Sequence, residues 1–452
     1  MNPERFMTKS LKASPIGHTV SNILVKAIEA VDPEKAVAQY LHREESNLYI
    51  GKKLYDLNHI DRIFLIGFGK ASVPMGLSAI SILGEYLTSG ILVTKRFNGK
   101  AIPNISVIEG GHPVPDQRSK DAAKRIVQLL SKTKGDDLVI CLISGGGSSL
   151  LTLPVEEISL DHIQILTKIL LESGATINEI NCLRKHISQV KGGQLARFAA
   201  PARIASLILS DVVGDPIDVI GSGPTTPDPT TYLDAIRILE KYGIVNEVPT
   251  QIEQHLKLGL RGQIPETPKP DDPIFTKTEN KIIGNNFLAA KAAVSQAKQS
   301  GFNTMLLTTS LQGEANIAGK MIAAVAKQIA TTGDPIPRPA CIIIGGETTV
   351  TIRGNGKGGR NQELALGAVK DIAGLQNTLL ITLATDGDDG PTDAAGAVVT
   401  GETLDRVISI GQNPTDYLQR NDSYEFFNSL NDLLKPGLTG TNVNDLIFLI
   451  LY

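Results

Sequence analysis

The sequence predicts an α/β protein of two domains, and three observations predict it. Short apolar runs at 62–66 (RIFLI), 90–94 (GILVT) and 138–143 (LVICLI) alternate with stretches of helical spacing. That alternation is the pattern of a parallel sheet covered by helices on both faces. Polar, glycine-rich loops follow strand after strand, at 67–72, 110–116, 144–149, 210–216, 345–360 and 385–393. At 452 residues the chain is longer than one hydrophobic core usually serves.

In chain order, Ile23, Leu24, Ala27 and Ile28 predict a helix over 18–38. The strand 62–66 ends at Gly67-Phe68-Gly69-Lys70-Ala71-Ser72. Strands follow at 90–94 and 105–109, the second running into Gly110-Gly111-His112-Pro113-Val114-Pro115-Asp116. A helix over 119–133 leads to the strand 138–143 and then to Ser144-Gly145-Gly146-Gly147-Ser148-Ser149. Helices over 160–172 and 177–199 precede a strand at 204–209, the acidic loop 210–216, a rigid turn cluster at 222–229 and a helix at 233–242. The Pro- and charge-rich stretch 261–272 (RGQIPETPKPDD) reads as a linker. Beyond it, strands are expected at 281–284, 304–307, 340–344, 348–352 and 379–384, a helix from Asn361, and an apolar end, IFLILY. The expected architecture is a Rossmann-like parallel sheet with flanking helices over 1–262 and a second α/β domain over 275–452. The buried-looking tail of the second is a candidate to dock on the first.

Composition excludes several classes. The chain is 42% hydrophobic and 20% charged, which suits a folded globular protein and not a disordered one. A net charge of −3 without a basic block argues against electrostatic capture of nucleic acid, and 4% aromatics with no Trp argues against base stacking. Cys141, Cys182 and Cys341 are odd in number and far apart, so free thiols are expected rather than a disulfide framework. No zinc-type Cys or His spacing occurs. No signal-like or membrane-length apolar run is present, so a cytoplasmic monomer or homodimer acting on small molecules is expected, without a membrane partner.

The richest loop is 341–366 (CIIIGGETTVTIRGNGKGGRNQELAL). Gly356 and Gly358 let backbone approach a ligand, the next helix offers its positive end, and Lys357 and Arg360 add cations. Glu347 and Asn361 stand at the two ends of that loop as substrate-contact candidates. The run 144–149 offers consecutive amides and three hydroxyls, from Ser144, Ser148 and Ser149, around Gly145, Gly146 and Gly147, a phosphate cradle without its own lysine. Lys70 follows a strand in GxGK, aimed at an anion. The run is not a dinucleotide fingerprint, since Ser72 replaces the third glycine and Lys95-Arg96 stand where a ribose-binding acid belongs. It is not a P-loop either, because Phe64 stands where GxxxxGK[ST] needs glycine. Arg184, Ser188 and Lys191 fall near one face if the helix continues through them, with Arg184 a candidate substrate contact and Lys191 a candidate phosphate contact. His112, in a loop stiffened by two prolines, is a candidate to orient a substrate. Acids gather at Asp211 and Asp215, and at Asp386, Asp388, Asp389 and Asp393. Mg²⁺ takes one or two carboxylates plus phosphate oxygens, and Asp211 and Asp386 are the candidates for it, with Asp211 also a candidate base.

These loops together resemble the glycerate 2-kinase family, the class II glycerate kinases that carry a MOFRL C-terminal domain. The resemblance rests on GFGKAS, GGHPVPD, SGGGSS, NCLRKHISQVKGG, SDVVGDPIDVIGSGPTTPD, GGETTVTIRGNGKGGRNQE, ATDGDDGPTDAAGA and TGTNVNDL, in that order. It implies ATP-dependent phosphorylation of D-glycerate to 2-phosphoglycerate with a divalent cation, two α/β domains, and an active site in the cleft between them. It also implies that Lys70, in GKA, and Arg360, in GGRNQE, lie at the reacting centre. The tail departs from the pattern at Lys435-Pro436-Gly437-Leu438-Thr439-Gly440, and Thr400 stands where an acid is common. Two other readings stay open: an NAD(P)H-dependent hydroxypyruvate reductase, a name some relatives carry, and a non-catalytic sugar-acid or nucleotide-binding module.

Overall fold

The computed structural model describes residues 1–452, and the chain divides into two compact units. The first comprises Pro33–Ser210 and Asp215–Ile283; the second comprises Met1–Asp32, Asp211–Gly214 and Gly284–Tyr452.

In the first unit a small antiparallel sheet, β1 (Leu41–Glu44), β2 (Asn47–Ile50) and β3 (Lys53–Asp56), precedes the main sheet. The main sheet holds β4 (Ile63–Phe68), β5 (Leu87–Thr94), β6 (Ile105–Glu109), β7 (Leu138–Ile143), β8 (Arg203–Leu209) and β9 (Thr278–Gly284), in the order β6-β5-β4-β7-β8-β9. Strands β4 to β8 pair in parallel. Every residue of β4 and β7 is buried, as continuous apolar runs under two helical layers must be. The chain leaves β4 towards β5 and leaves β7 towards β8, so the order reverses between these two central strands. Their registered ends, Phe68 and Ile143, bring the loops 69–72 and 144–149 side by side at the switch point where open sheets bind ligands.

The second unit holds β10 (Asn303–Leu311), β11 (Ala340–Gly346), β12 (Thr378–Ala384), β13 (Gly396–Thr400), β14 (Leu433–Leu434) and β15 (Asp445–Leu451), in the order β10-β11-β15-β12-β13-β14. Only β10 and β11 pair in parallel; β15 runs antiparallel to both its neighbours. Its core joins the helices Ala315–Thr332 and Arg360–Ile372 to the sheet through Ile322, Leu364, Val369, Ile342 and Leu449.

The structure corrects several expectations. The apolar tail is not an appendage: as β15 it is a wholly buried central strand of the second sheet. The helix expected over 18–38 is two helices, Gly17–Glu29 and Pro33–Tyr40, because Pro33 cannot donate a helical hydrogen bond. The first of them belongs to the second unit, where Thr441 Oγ1 donates to the Val31 carbonyl and Ser10 donates through N and Oγ to Asp432. The expected domain of residues 1–262 therefore begins at Pro33. The expected linker at 261–272 is a strap on the first unit: Thr267 Oγ1 donates to Asp228, and Tyr232 N donates to Glu266. The expected strand 348–352 forms only an isolated bridge between Thr349 and Glu314. No helix is long and apolar enough to cross a membrane.

Candidate active site

The site in the first unit is built on two glycines. Gly69, at φ +128°, turns the chain out of β4, and a side chain there would meet Ser144 Oγ at 2.2 Å. Gly146, at φ +79°, is the left-handed residue before the single helical turn Gly147–Leu150, and a Cβ there would lie 2.7 Å from the His112 ring. Backbone strain of this kind is tolerated where only glycine fits. The two loops are laced together: Lys70 N donates to the Gly145 carbonyl at 2.8 Å, and Ala71 N donates to Ser144 Oγ at 3.0 Å. Ser144 is thus buried and committed to the scaffold.

The neighbouring hydroxyls are also ordered. Ser149 Oγ donates to the Pro113 carbonyl at 2.6 Å, tying the turn to the loop after β6. Ser222 Oγ donates to Asn181 Oδ1, so Ser148 Oγ donates to Ser222 at 2.9 Å. The exposed Lys70 side chain passes close to Gly146 and beside His112. Burial first, then the charges of Lys70 and Lys95, hold His112 down to about 4, so its ring is neutral at physiological pH. Its Nδ1 is buried without a partner.

Arg184, Ser188 and Lys191 do converge here, but not along one helical face. The helix capped by Thr176 and Glu179 stops at His186 (Ile177–His186), and Gly192 and Gly193 take φ of +54° and +81° before the next helix. Lys191 folds back beneath the turn and donates to the carbonyls of Ser148 at 2.6 Å and Leu151 at 3.1 Å. Burial, then the Arg184 charge, pushes Lys191 down to about 7. Lys185 and His186, by contrast, are paired inside the fold: Lys185 reaches Asp218 at 3.2 Å and Asp228 at 3.3 Å, and His186 reaches Glu266 at 3.3 Å. The three cations Lys70, Arg184 and Lys191 surround the glycine turn with no carboxylate partner.

In the second unit the organising side chain is Arg360, the first residue of the helix Arg360–Ile372. The helix dipole disfavours a cation there, and two carboxylates hold it. Arg360 Nε donates to Asp445 Oδ2 at 2.6 Å, Nη2 to Asp445 Oδ1 at 3.3 Å, and Nη1 to Glu347 Oε1 at 2.6 Å. Burial opposes this charge, but Asp445 and Glu347 raise the guanidinium pKa overall. The backbone amides of Asn361 and Gln362 and both their side-chain amides donate to Asp389, which caps the helix. Burial, then the Asp445 charge, pushes Asp389 up to about 7.

Residues 19–257 match a family model described as a domain of unknown function, DUF4147, and residues 340–445 match the MOFRL family. A D-glycerate 2-kinase of Thermotoga maritima is 44% identical over 94% of this chain and 96% of its own length. The chain belongs to the MOFRL glycerate kinase family. A glycerate 2-kinase of Pyrococcus horikoshii is 42% identical over 94% of this chain and 95% of its own. The crystal structure of the Thermotoga maritima glycerate kinase superposes with a TM-score of 0.84 at 42% identity, covering 95% of this chain and 98% of that one.

In this member of the glycerate kinase family, Asp445 and Ser222 are site residues that the sequence reading did not single out. Asp445 stands in TGTNVNDL, a motif noticed without a role for its acid. Gly356 and Gly358 are accounted for by packing: side chains there would strike Arg420 O at 2.5 Å and Ser423 Oγ at 2.2 Å. Asn361 is buried on Asp389 and so belongs to the scaffold of the helix start. Asp386 Oδ1 accepts from Asp388 N, a turn-forming bond. No group of three or more His, Cys, Asp or Glu side chains is gathered to hold a metal.

Proposed function

We propose that this protein is a glycerate 2-kinase that transfers the γ-phosphoryl group of ATP to the 2-hydroxyl of D-glycerate. The observation that carries the reading is the set of unpaired cations around the glycine turn 144–149 at the switch point. Three basic side chains without carboxylates, two charged and Lys191 held down to about 7, form a site that an oligophosphate completes. In the reaction the 2-hydroxyl oxygen attacks the γ-phosphorus, the bond to the ADP oxygen breaks, and the hydroxyl proton passes to a base. Lys70 supplies positive charge to the transferred phosphoryl, and the backbone amides of Gly145, Gly146 and Ser148, which the turn does not spend on itself, supply donors to the phosphate chain. Arg360 keeps two of its five N–H donors beyond those spent on Asp445 and Glu347, enough to grip glycerate's carboxylate. His112, neutral, orients the substrate, and Asp211 either takes the proton or holds the metal.

Mg²⁺ suits the oxygen donors of Asp211 and Asp386, since it binds through one or two carboxylates plus substrate phosphates and needs no preformed protein cage. Bound there, it would neutralise charge on the phosphate oxygens.

The reductase reading is opposed by Ser72. Its buried hydroxyl donates to the Val93 carbonyl where a dinucleotide turn needs its third glycine. The test is ADP release that depends on glycerate and metal, with phosphorus NMR to identify the 2-phosphate. Fixed cations at a developing charge contribute about 10²–10³ in rate, so Lys70→Ala and Arg360→Ala should each lose about that much. Near-normal turnover in both folded variants, or oxidation of NADPH by hydroxypyruvate without ATP, overturns the reading.

A further inference from the structure

The first unit contains a cavity of about 420 Å³ that the reading above leaves without an occupant. That size is in the range of small-molecule sites. Its walls are apolar: Val114 from the loop after β6, Ile163 and Leu171 from the helix Leu160–Glu172, and Ile187. Val114 and Leu171 are 56% and 61% exposed, so apolar surface faces the cavity mouth where a flat ring could cover it. The other wall is the phosphate turn, through Ser148 and Ser149, with Arg184 and Lys191 beside it.

The charges point the same way. The side chain of Arg184 has one partner, the neutral Thr167 Oγ1 at 3.4 Å, and burial lowers its pKa. Lys191 has only two carbonyls. Burying an ion without a counter-ion costs several kcal/mol. Where this fold needs a buried cation only for structure, it supplies an acid: Lys185, next to Arg184, has Asp218 and Asp228. An anion from outside is the missing partner.

We propose that this cavity is the nucleotide pocket: a nucleoside di- or triphosphate lays its base and ribose against Val114, Ile163, Leu171 and Ile187 and its inner phosphates on Arg184 and Lys191. The terminal phosphate then reaches the turn at Gly146 and Lys70, because Ser149 and Pro113 join the cavity wall to that turn. This assigns Arg184 to the nucleotide and not to the glycerate contact expected from sequence. The proposal rests on the kinase reading for its ligand class.

The test uses the full chain and two variants, Arg184→Met and Thr167→Trp, the second placing a large ring in the cavity. Binding of a fluorescent ADP analogue is measured without glycerate, and KM is measured separately for ATP and glycerate. Each variant should weaken analogue binding and raise the KM for ATP about ten-fold or more, the loss of one good contact, with the KM for glycerate nearly unchanged. Photolabelling with 8-azido-ATP should mark residues 160–172 or 113–115. If either variant folds with the wild-type melting temperature and keeps analogue binding and the KM for ATP within about two-fold, the pocket assignment is wrong, whatever the other variant does. ADP release by the wild-type enzyme decides the kinase reading independently. Labelling confined to other segments also overturns the pocket while leaving that reading intact.

Discussion

Asp445→Asn tests how Arg360 is aimed. Asp445 is 4% exposed at the start of β15 and holds two of the three nitrogens of the guanidinium, while Glu347, 40% exposed, holds the third. Asparagine keeps the shape and one acceptor oxygen, so Nε can still donate. Its amide nitrogen faces Nη2, donor against donor, and the negative charge is gone. A charge-assisted hydrogen bond is worth about 1.5–3 kcal/mol. Part of that loss is offset, because a buried carboxylate is no longer desolvated and Asp389 no longer feels it. The net stability change should therefore be small, about 0–2 kcal/mol. The catalytic change should be larger. A fixed donor contributes about 10²–10³, and one that must be reordered at each turnover loses roughly 10–100-fold in kcat, about 1.4–2.8 kcal/mol. The assay is steady-state ADP release with melting temperature alongside. Asp445 acts through Arg360, so kcat should fall more than KM for ATP changes, and Asp445→Glu should restore part of the loss. A folded Asp445→Asn enzyme with kcat within about two-fold of wild type would show that the clamp does not aim the arginine.

Gly146→Ala should remove most activity and cost about 1–2 kcal/mol, since φ is +79° and the new Cβ meets the His112 ring; a melting curve and an ADP assay check both. Glu266→Gln should change the pH dependence of stability. Burial works against the His186 charge, but the Cys182 carbonyl and Glu266 lift it from 6.5 to about 9, so its contribution is full below 6.5 and disappears as pH rises through about 9. Glu266, held down to about 2 against its own burial by His186, the Tyr232 amide and Lys269, contributes above 4.5 and is lost as pH falls through about 2. Melting temperatures at pH 6 to 10 should fall on the alkaline side for wild type and less steeply for the variant. Glu347→Gln should cost less than Asp445→Asn, under about five-fold in kcat, because an exposed pair is screened by solvent; the reverse order in the same assay would refute the clamp geometry.

The parallel sheet was legible because a strand buried on both faces reads as an unbroken apolar run, and β4 and β7 do, as does the second half of β5. The same property hid the place of β15: LIFLIL says that a strand is central but not which way it runs or between which partners. The helix expected through 199 overran because residues 187–191 keep helical spacing; only the paired glycines 192 and 193 betray the break. Pro33 was a visible stop that the apolar periodicity overrode. The β-branched 348–352 has the propensity of a strand and no neighbouring edge to pair with.

Cations were easy to list and hard to sort, for one physical reason. A cation's role depends on its counter-charge, and the counter-charge lies far away in sequence: Arg360 and Asp445 are 85 residues apart, Lys185 and Asp228 are 43 apart. From the motif NCLRKHISQVKGG, Arg184, Lys185, His186 and Lys191 looked alike. Folding separates them into two that the protein neutralises itself and two that it leaves for a ligand. The sorting also divides the labour between the units. Arg360 with Glu347 and Asp445 is locally one charge negative, so it cannot be what attracts an oligophosphate; it can only hold and orient. Lys70 and Arg184 carry uncompensated charges, and Lys191, held down to about 7, gains its full charge when an anion arrives, so the attraction resides there, and with it the discrimination between a phosphorylated nucleotide and every neutral purine.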